Sequence, residues 1–129
     1  NYLMVITILG SSKHISNRIV ELIDETNKGV SFHNCFTYAE AIDCLSKQKT
    51  DVVLLDFDFE GNKAFDLLKK IREYSAETVV MVLFNLASDF SMKQLRDSGA
   101  DYLFDKYNDF EKIAPVINAI NKRATNKIL

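Results

Sequence analysis

Five short apolar runs rich in β-branched residues, at 3 to 9, 30 to 36, 51 to 56, 78 to 84 and 101 to 104, are each followed by a stretch with helical spacing. This alternation constrains the fold more than anything else in the chain. Runs such as D-V-V-L-L-D and T-V-V-M-V-L-F are apolar on both faces, as parallel strands covered by helices on both sides must be. Successive strand-helix units with right-handed crossovers then imply a three-layer α/β sandwich around a parallel sheet.

The helical stretches each offer one apolar stripe. Ile15, Ile19, Leu22 and Ile23 share a face, with Asn17, Arg18 and Glu21 opposite. The second stretch opens T-Y-A-E, where Thr37 and Glu40 can form a capping box before Ala41, Ile42 and Leu45 turn inward. The third should bury Phe65, Leu68 and Ile71. The fourth, opening near Ser88 or Asp89, should bury Met92 and Leu95 and stop at Gly99. The fifth, about 109 to 123, presents Ile113, Ile117 and Ile120, and Pro115 predicts a late start or a kink. Most of the nine Phe side chains are expected in the core.

With 129 residues, 47% hydrophobic and 26% charged, the chain has enough apolar surface for one domain, read here as 1–129. Asn at residue 1 and the ending N-K-I-L point to a piece excised from a longer protein. A formal charge of -2 with interspersed signs gives no field to gather nucleic acid or anionic lipid. No apolar run reaches the roughly 20 residues a membrane span needs. Cys35 and Cys44 are too few and too isolated in sequence for a disulfide framework or zinc site, which fits a reducing, cytoplasmic setting. His14 and His33 lack a partner at metal-ligand spacing.

In an open parallel sheet, ligands bind outside the carboxyl ends of the strands. The residues there are Gly10, Ser11 and Ser12; Phe36 and Thr37; Asp56 and Asp58; Phe84 and Asn85; Asp105 and Lys106. Asp56 ends a run too apolar to hold a lone charge, so it must be exposed or paired. It reads either as a nucleophilic phosphoryl acceptor or as half of an Asp-Lys pair capping two strand ends. Ser12 suits an N-cap, which is favoured over G-S-S-K-H-I-S as a flavin or anion site.

D-V-V-L-L-D with Asp56, the following K-A-F-D-L-L-K-K-I-R, and D-S-G-A-D-Y-L-F-D-K with Lys106 together resemble the CheY-like receiver domain of bacterial response regulators over essentially the whole chain. That resemblance implies a flavodoxin-like sandwich with strand order 2-1-3-4-5, Asp56 as phosphoacceptor and Lys106 as its cationic partner. It also implies a histidine kinase or phosphotransfer protein as phosphoryl donor. Output-domain or homodimer contacts would fall on the face of the fourth helix, fifth strand and fifth helix.

The departures are equally specific. The family's acidic pair after the first strand, which holds magnesium, is replaced by Gly10 and Ser11, or by Ser11 and Ser12 with the register shifted by one. Its hydroxyl residue after the fourth strand aligns with Phe84, its switch aromatic with Leu103, its proline after the lysine with Tyr107, and the loop's Pro and Gly with Glu60 and Ala64. Magnesium binding should be weak or lost, with Asp58 the remaining carboxylate able to supplement Asp56. An atypical receiver acting through protein contacts rather than as an enzyme is the expectation. D-F-D-F also resembles the opening of haloacid-dehalogenase phosphohydrolases, with Asp56 as nucleophile and Asp58 as acid/base. Its place after the third strand and the short chain count against that alternative.

Overall fold

The computed structural model describes residues 3–85 and 91–128. β1 (Val5–Leu9), β2 (Ser31–Cys35), β3 (Val52–Asp56), β4 (Val79–Phe84) and β5 (Tyr102–Asp105) form one sheet in the order β2-β1-β3-β4-β5, and every pairing is parallel. The helices are α1 (Lys13–Thr26), α2 (Tyr38–Lys47), α3 (Ala64–Tyr74), α4 (Met92–Asp97) and α5 (Ile113–Ile128). None of them is long and apolar enough, among the described residues, to cross a membrane.

Strand alternation divides the core into two layers. Ile6, Ile8, Val52, Leu54, Met81 and Leu83 point to one side, where α1 supplies Ile19 and Ile23 and α5 supplies Ile113 and Ile117. Leu9, Cys35, Val53, Leu55, Val80 and Val82 point to the other, under Ala41 and Leu45 of α2, Leu67, Leu68 and Ile71 of α3 and Leu95 of α4. The central strand β3 is buried along its whole length, its four apolar residues and the closing Asp56 alike.

Local signals in the sequence act as expected at several ends. Ser12 caps α1 by accepting from the Ile15 N–H. Thr37 and Glu40 complete the capping box of α2, and Gly99 (φ 119°) closes the turn after α4. A single 3-10 turn at Phe110–Lys112 precedes α5, so the helix starts late. Pro115 then falls in its first turn, where a missing N–H has no intrahelical acceptor.

Three expectations change. Ser88 and Asp89, the anticipated start of the fourth helix, lie outside the described residues; α4 is described from Met92, with Ser91 as its cap. Met92 is 40% exposed rather than buried, because in a helix this short only one position per turn, that of Leu95, meets the sheet. Of the eight described Phe residues, Phe59, Phe84 and Phe104 are buried, whereas Phe32, Phe36, Phe57, Phe65 and Phe110 are only partly covered. These five lie on the edge strand, in connections or where a helix leaves the sheet.

Candidate functional site

Asp56 is the last residue of the central strand, so the fold itself carries its carboxylate to the carboxyl edge of the sheet. The chain turns immediately afterwards. The Phe57 N–H still reaches the Leu83 carbonyl at 2.8 Å, the Phe59 N–H returns to the Asp56 carbonyl at 3.0 Å, and the wholly buried Phe59 ring anchors the loop. Glu60 takes a left-handed conformation (φ 47°), and its carboxylate accepts from the Tyr38 N–H at 3.3 Å. The loop is thereby strapped to the start of α2.

Lys106 arrives from β5. Its N–H continues the ladder to the Phe84 carbonyl at 2.8 Å. The buried Asp105 carboxylate accepts from the Tyr107 and Asn108 N–H groups at 2.9 and 2.8 Å, which closes the turn that follows. Asp109 in turn accepts from the Asp105 N–H; this bond, with Lys112 alongside, holds the Asp109 carboxyl below the usual carboxylate range.

The two chains of support bring the charges together. Lys106 Nζ lies 2.8 Å from Asp56 Oδ1 and 3.2 Å from Asp58 Oδ2. Side-chain exposure is 9% for Lys106, 5% for Asp56 and 54% for Asp58, so the inner pair is sheltered and the outer carboxylate is wet. Burial pulls the lysine's pKa down, but the two carboxylates outweigh it and the net direction is upward. Asp56 is further engaged by the Asp58 N–H on Oδ1 (2.8 Å) and by the Ser11 hydroxyl on Oδ2 (2.9 Å). Its requirement for a partner is met by an ammonium, an amide and a hydroxyl.

The remaining expected positions divide. Ser11, expected at this edge of the sheet, joins the site through that hydroxyl. Ser12 does not; its oxygen is used by α1. Phe84 is buried at the end of β4, where its carbonyl accepts from the Lys106 N–H and its side chain carries no hydroxyl, while Asn85 follows half-buried. Leu103 is half-buried and Tyr107 is 70% exposed.

The donor set does not fit magnesium. That ion wants several oxygens, with carboxylates among them, and no group of three His, Cys, Asp or Glu able to hold a metal exists among the described residues. The end of β1 supplies only Gly10 and Ser11, and Lys106 Nζ stands between the two carboxylates that do converge. Asp58, the expected supplement for a metal, spends its carboxylate on the ammonium.

Known folds match closely. A two-component response regulator from Clostridium difficile is 24% identical, with a TM-score of 0.80 over 94% of this chain and 98% of that one. The signal receiver domain of a DNA-binding response regulator from Colwellia psychrerythraea gives 20% and 0.82 over 92% and 98%. HP1043, an orphan response regulator of H. pylori, gives 16% and 0.72 over 91% and 95%. Comparison with curated proteins yields no match. None of these similarities supports the phosphohydrolase alternative. The family model of the response regulator receiver domain matches residues 6–118, and with the sheet order and the carboxylate-lysine edge in place, this chain belongs to that family of two-component signalling domains.

Proposed function

We propose that the chain works as one atypical receiver unit, in which Asp56 and Lys106 keep the acceptor pair while magnesium-dependent phosphorylation is impaired or absent. The carrying observation is that one ammonium lies within 3.2 Å of both converging carboxylates, while the end of β1 adds a hydroxyl and no charge. Phosphoryl transfer to Asp56 requires cationic help against the charge of the incoming group. Here that help reduces to Lys106. The Phe84 side chain cannot bind a phosphoryl oxygen.

In this reading the domain is a signalling module, not an enzyme, and Asp56 at most accepts a phosphoryl group from a histidine kinase or phosphotransfer protein. Its output runs through protein contacts on the face of α4, β5 and α5, to an output domain or a second copy. The exposed side chains of Met92 at the start of α4 and of Tyr107 just after β5 support that placement, since an exposed thioether and an exposed phenol each suit a protein partner. A cytoplasmic setting follows from such donors.

Treating the protein and its Asp56→Asn variant with magnesium and either acetyl phosphate or beryllofluoride tests the reading by intact mass and NMR. We expect treatment to leave the mass and the spectrum of each protein unchanged, and a flat calorimetric trace at millimolar magnesium. A robust adduct on Asp56 that needs magnesium would overturn the impaired-site reading and leave the family assignment intact.

A further inference from the structure

Cys35 and Cys44, distant from any motif in the sequence, meet in the fold. Cys35 is the last residue of β2 and is buried; Cys44 lies on α2 and is half-buried. Both pack in the layer under α2. Cys35 Sγ donates to the Glu40 carbonyl at 3.7 Å, the carbonyl one helical turn before Cys44, so the strand-end thiol sits against the turn of α2 that carries Cys44. A disulfide can join cysteines on two elements packed in this way once their Cα atoms come within about 7 Å.

We propose that Cys35 and Cys44 form a reversible redox pair that a hydroperoxide converts into an intramolecular disulfide. A buried free cysteine is usually just a small apolar group, and Cys35 alone would be one. Cys44 differs because its sulfur is set among polar groups. The Gln48 side-chain amide donates to it at 3.3 Å. Thr7 Oγ1 lies 3.9 Å away, and since Thr7 gives its own hydrogen to Thr50, Cys44 is the donor in that contact.

The asymmetry fixes the order of events. Burial, then the neighbouring Cys44, pushes the Cys35 thiol up to about 12, so Cys35 is a poor first nucleophile. The Cys44 thiolate attacks one oxygen of hydrogen peroxide; the O–O bond breaks, and the departing hydroxide takes a proton to become water. Cys44 is now a sulfenic acid, its sulfur oxidised by the two electrons that reduced the peroxide. Cys35 Sγ then attacks Cys44 Sγ, forming the S–S bond as the S–O bond breaks, and the Cys35 proton leaves with the hydroxyl as a second water. Two thiols and one peroxide give one disulfide and two waters. A small dithiol reverses the reaction by exchange.

The test exposes the whole chain to excess hydrogen peroxide, quenches it under denaturing conditions with an alkylating agent, and maps the peptides by mass. We expect a peptide pair joining Cys35 to Cys44, lighter by two hydrogens and restored by dithiothreitol. Cys35→Ser should stop at a Cys44 sulfenic acid that dimedone traps, and Cys44→Ser should consume peroxide at least about tenfold more slowly. A wild-type protein that keeps both thiols alkylatable, or that yields only sulfinic Cys44 or intermolecular dimers, overturns the proposal. Because those outcomes are measured on the wild type, they stand even where a variant fails to fold.

Discussion

Two cations tie strand ends together at opposite edges of the sheet, and they are held in opposite ways. At the amino edge, the Arg72 guanidinium donates to the carbonyls of Gly99, Ala76 and Thr78, the last at 2.7 Å, and to Asp101 at 2.9 Å. Asp101 also accepts from the Val80 N–H at the start of β4. At the carboxyl edge, Lys106 Nζ is held by the carboxylates of Asp56 and Asp58. A cation held by main-chain carbonyls cannot be released without unmaking turns. One held by carboxylates can be redirected by changing the charge on a single oxygen. The amino edge is therefore built as a clasp, and the carboxyl edge as a place where covalent modification or a partner could alter the balance.

The sharpest way to break this contrast is to remove each cation. Lys106→Met leaves a sheltered carboxylate beside a second one, and removing one member of a buried pair costs about 3 to 5 kcal/mol. We expect that loss in urea unfolding at neutral pH. Alkali should reach the same end by another route. Because the folded-state pKa of Lys106 is raised, its contribution is complete below about 10.5, the ordinary lysine value, and fades as pH rises through the higher folded value. The stability gap between the wild type and Lys106→Met should accordingly be constant from pH 7 to 9 and shrink above 10.5. A gap that stays constant through pH 12 would mean that the ammonium's charge is not what holds this edge.

Arg72→Ala should cost less, about 2 kcal/mol, although it deletes more hydrogen bonds. The groups left behind are carbonyls, each carrying the penalty of an unmet dipole, and the Asp101 carboxylate, which is 45% exposed and so stays solvated without its partner. Equal or greater loss than Lys106→Met, measured under the same conditions, would erase the distinction between clasp and charge site.

The two edges also differ in how far the sequence exposes them. Asp56 and Lys106 are legible because a carboxylate at the end of V-V-L-L and a lysine after Y-L-F-D have few places to go. Thr37 and Glu40 are legible because a capping box needs nothing beyond four consecutive residues. Arg72 is not. In K-K-I-R it looks like one more solvated cation, and its acceptors are carbonyls, which no side-chain pattern marks, some of them 27 residues away. Ser11 is legible as a residue of this edge, but not as a donor to Asp56, because a hydroxyl standing where the family has an acid does not announce its partner. The Cys35 and Cys44 contact depends on the angle at which α2 crosses the end of β2, and Met92 on which side of a two-turn helix faces the sheet. Periodicity fixes the layers; it does not fix such angles.

The smallest change asks how the charge at the carboxyl edge is shared. Asp58 is half-exposed and 3.2 Å from Lys106 Nζ, against 2.8 Å for the sheltered Asp56, and water screens what it contributes. Asp58→Asn keeps the shape of the side chain and the backbone N–H that donates to Asp56, and removes one negative charge. Exposed pairs of this kind are worth about 0.5 kcal/mol, so unfolding should move by no more than that. The alkaline fade of Lys106 should begin at the same pH but end at a lower one, since one of the two carboxylates that raise its folded-state pKa is gone. If Asp58→Asn instead destabilised the fold as strongly as Lys106→Met, the ammonium would depend on both carboxylates equally, and the division into a sheltered acceptor and a solvated outer arm would fail.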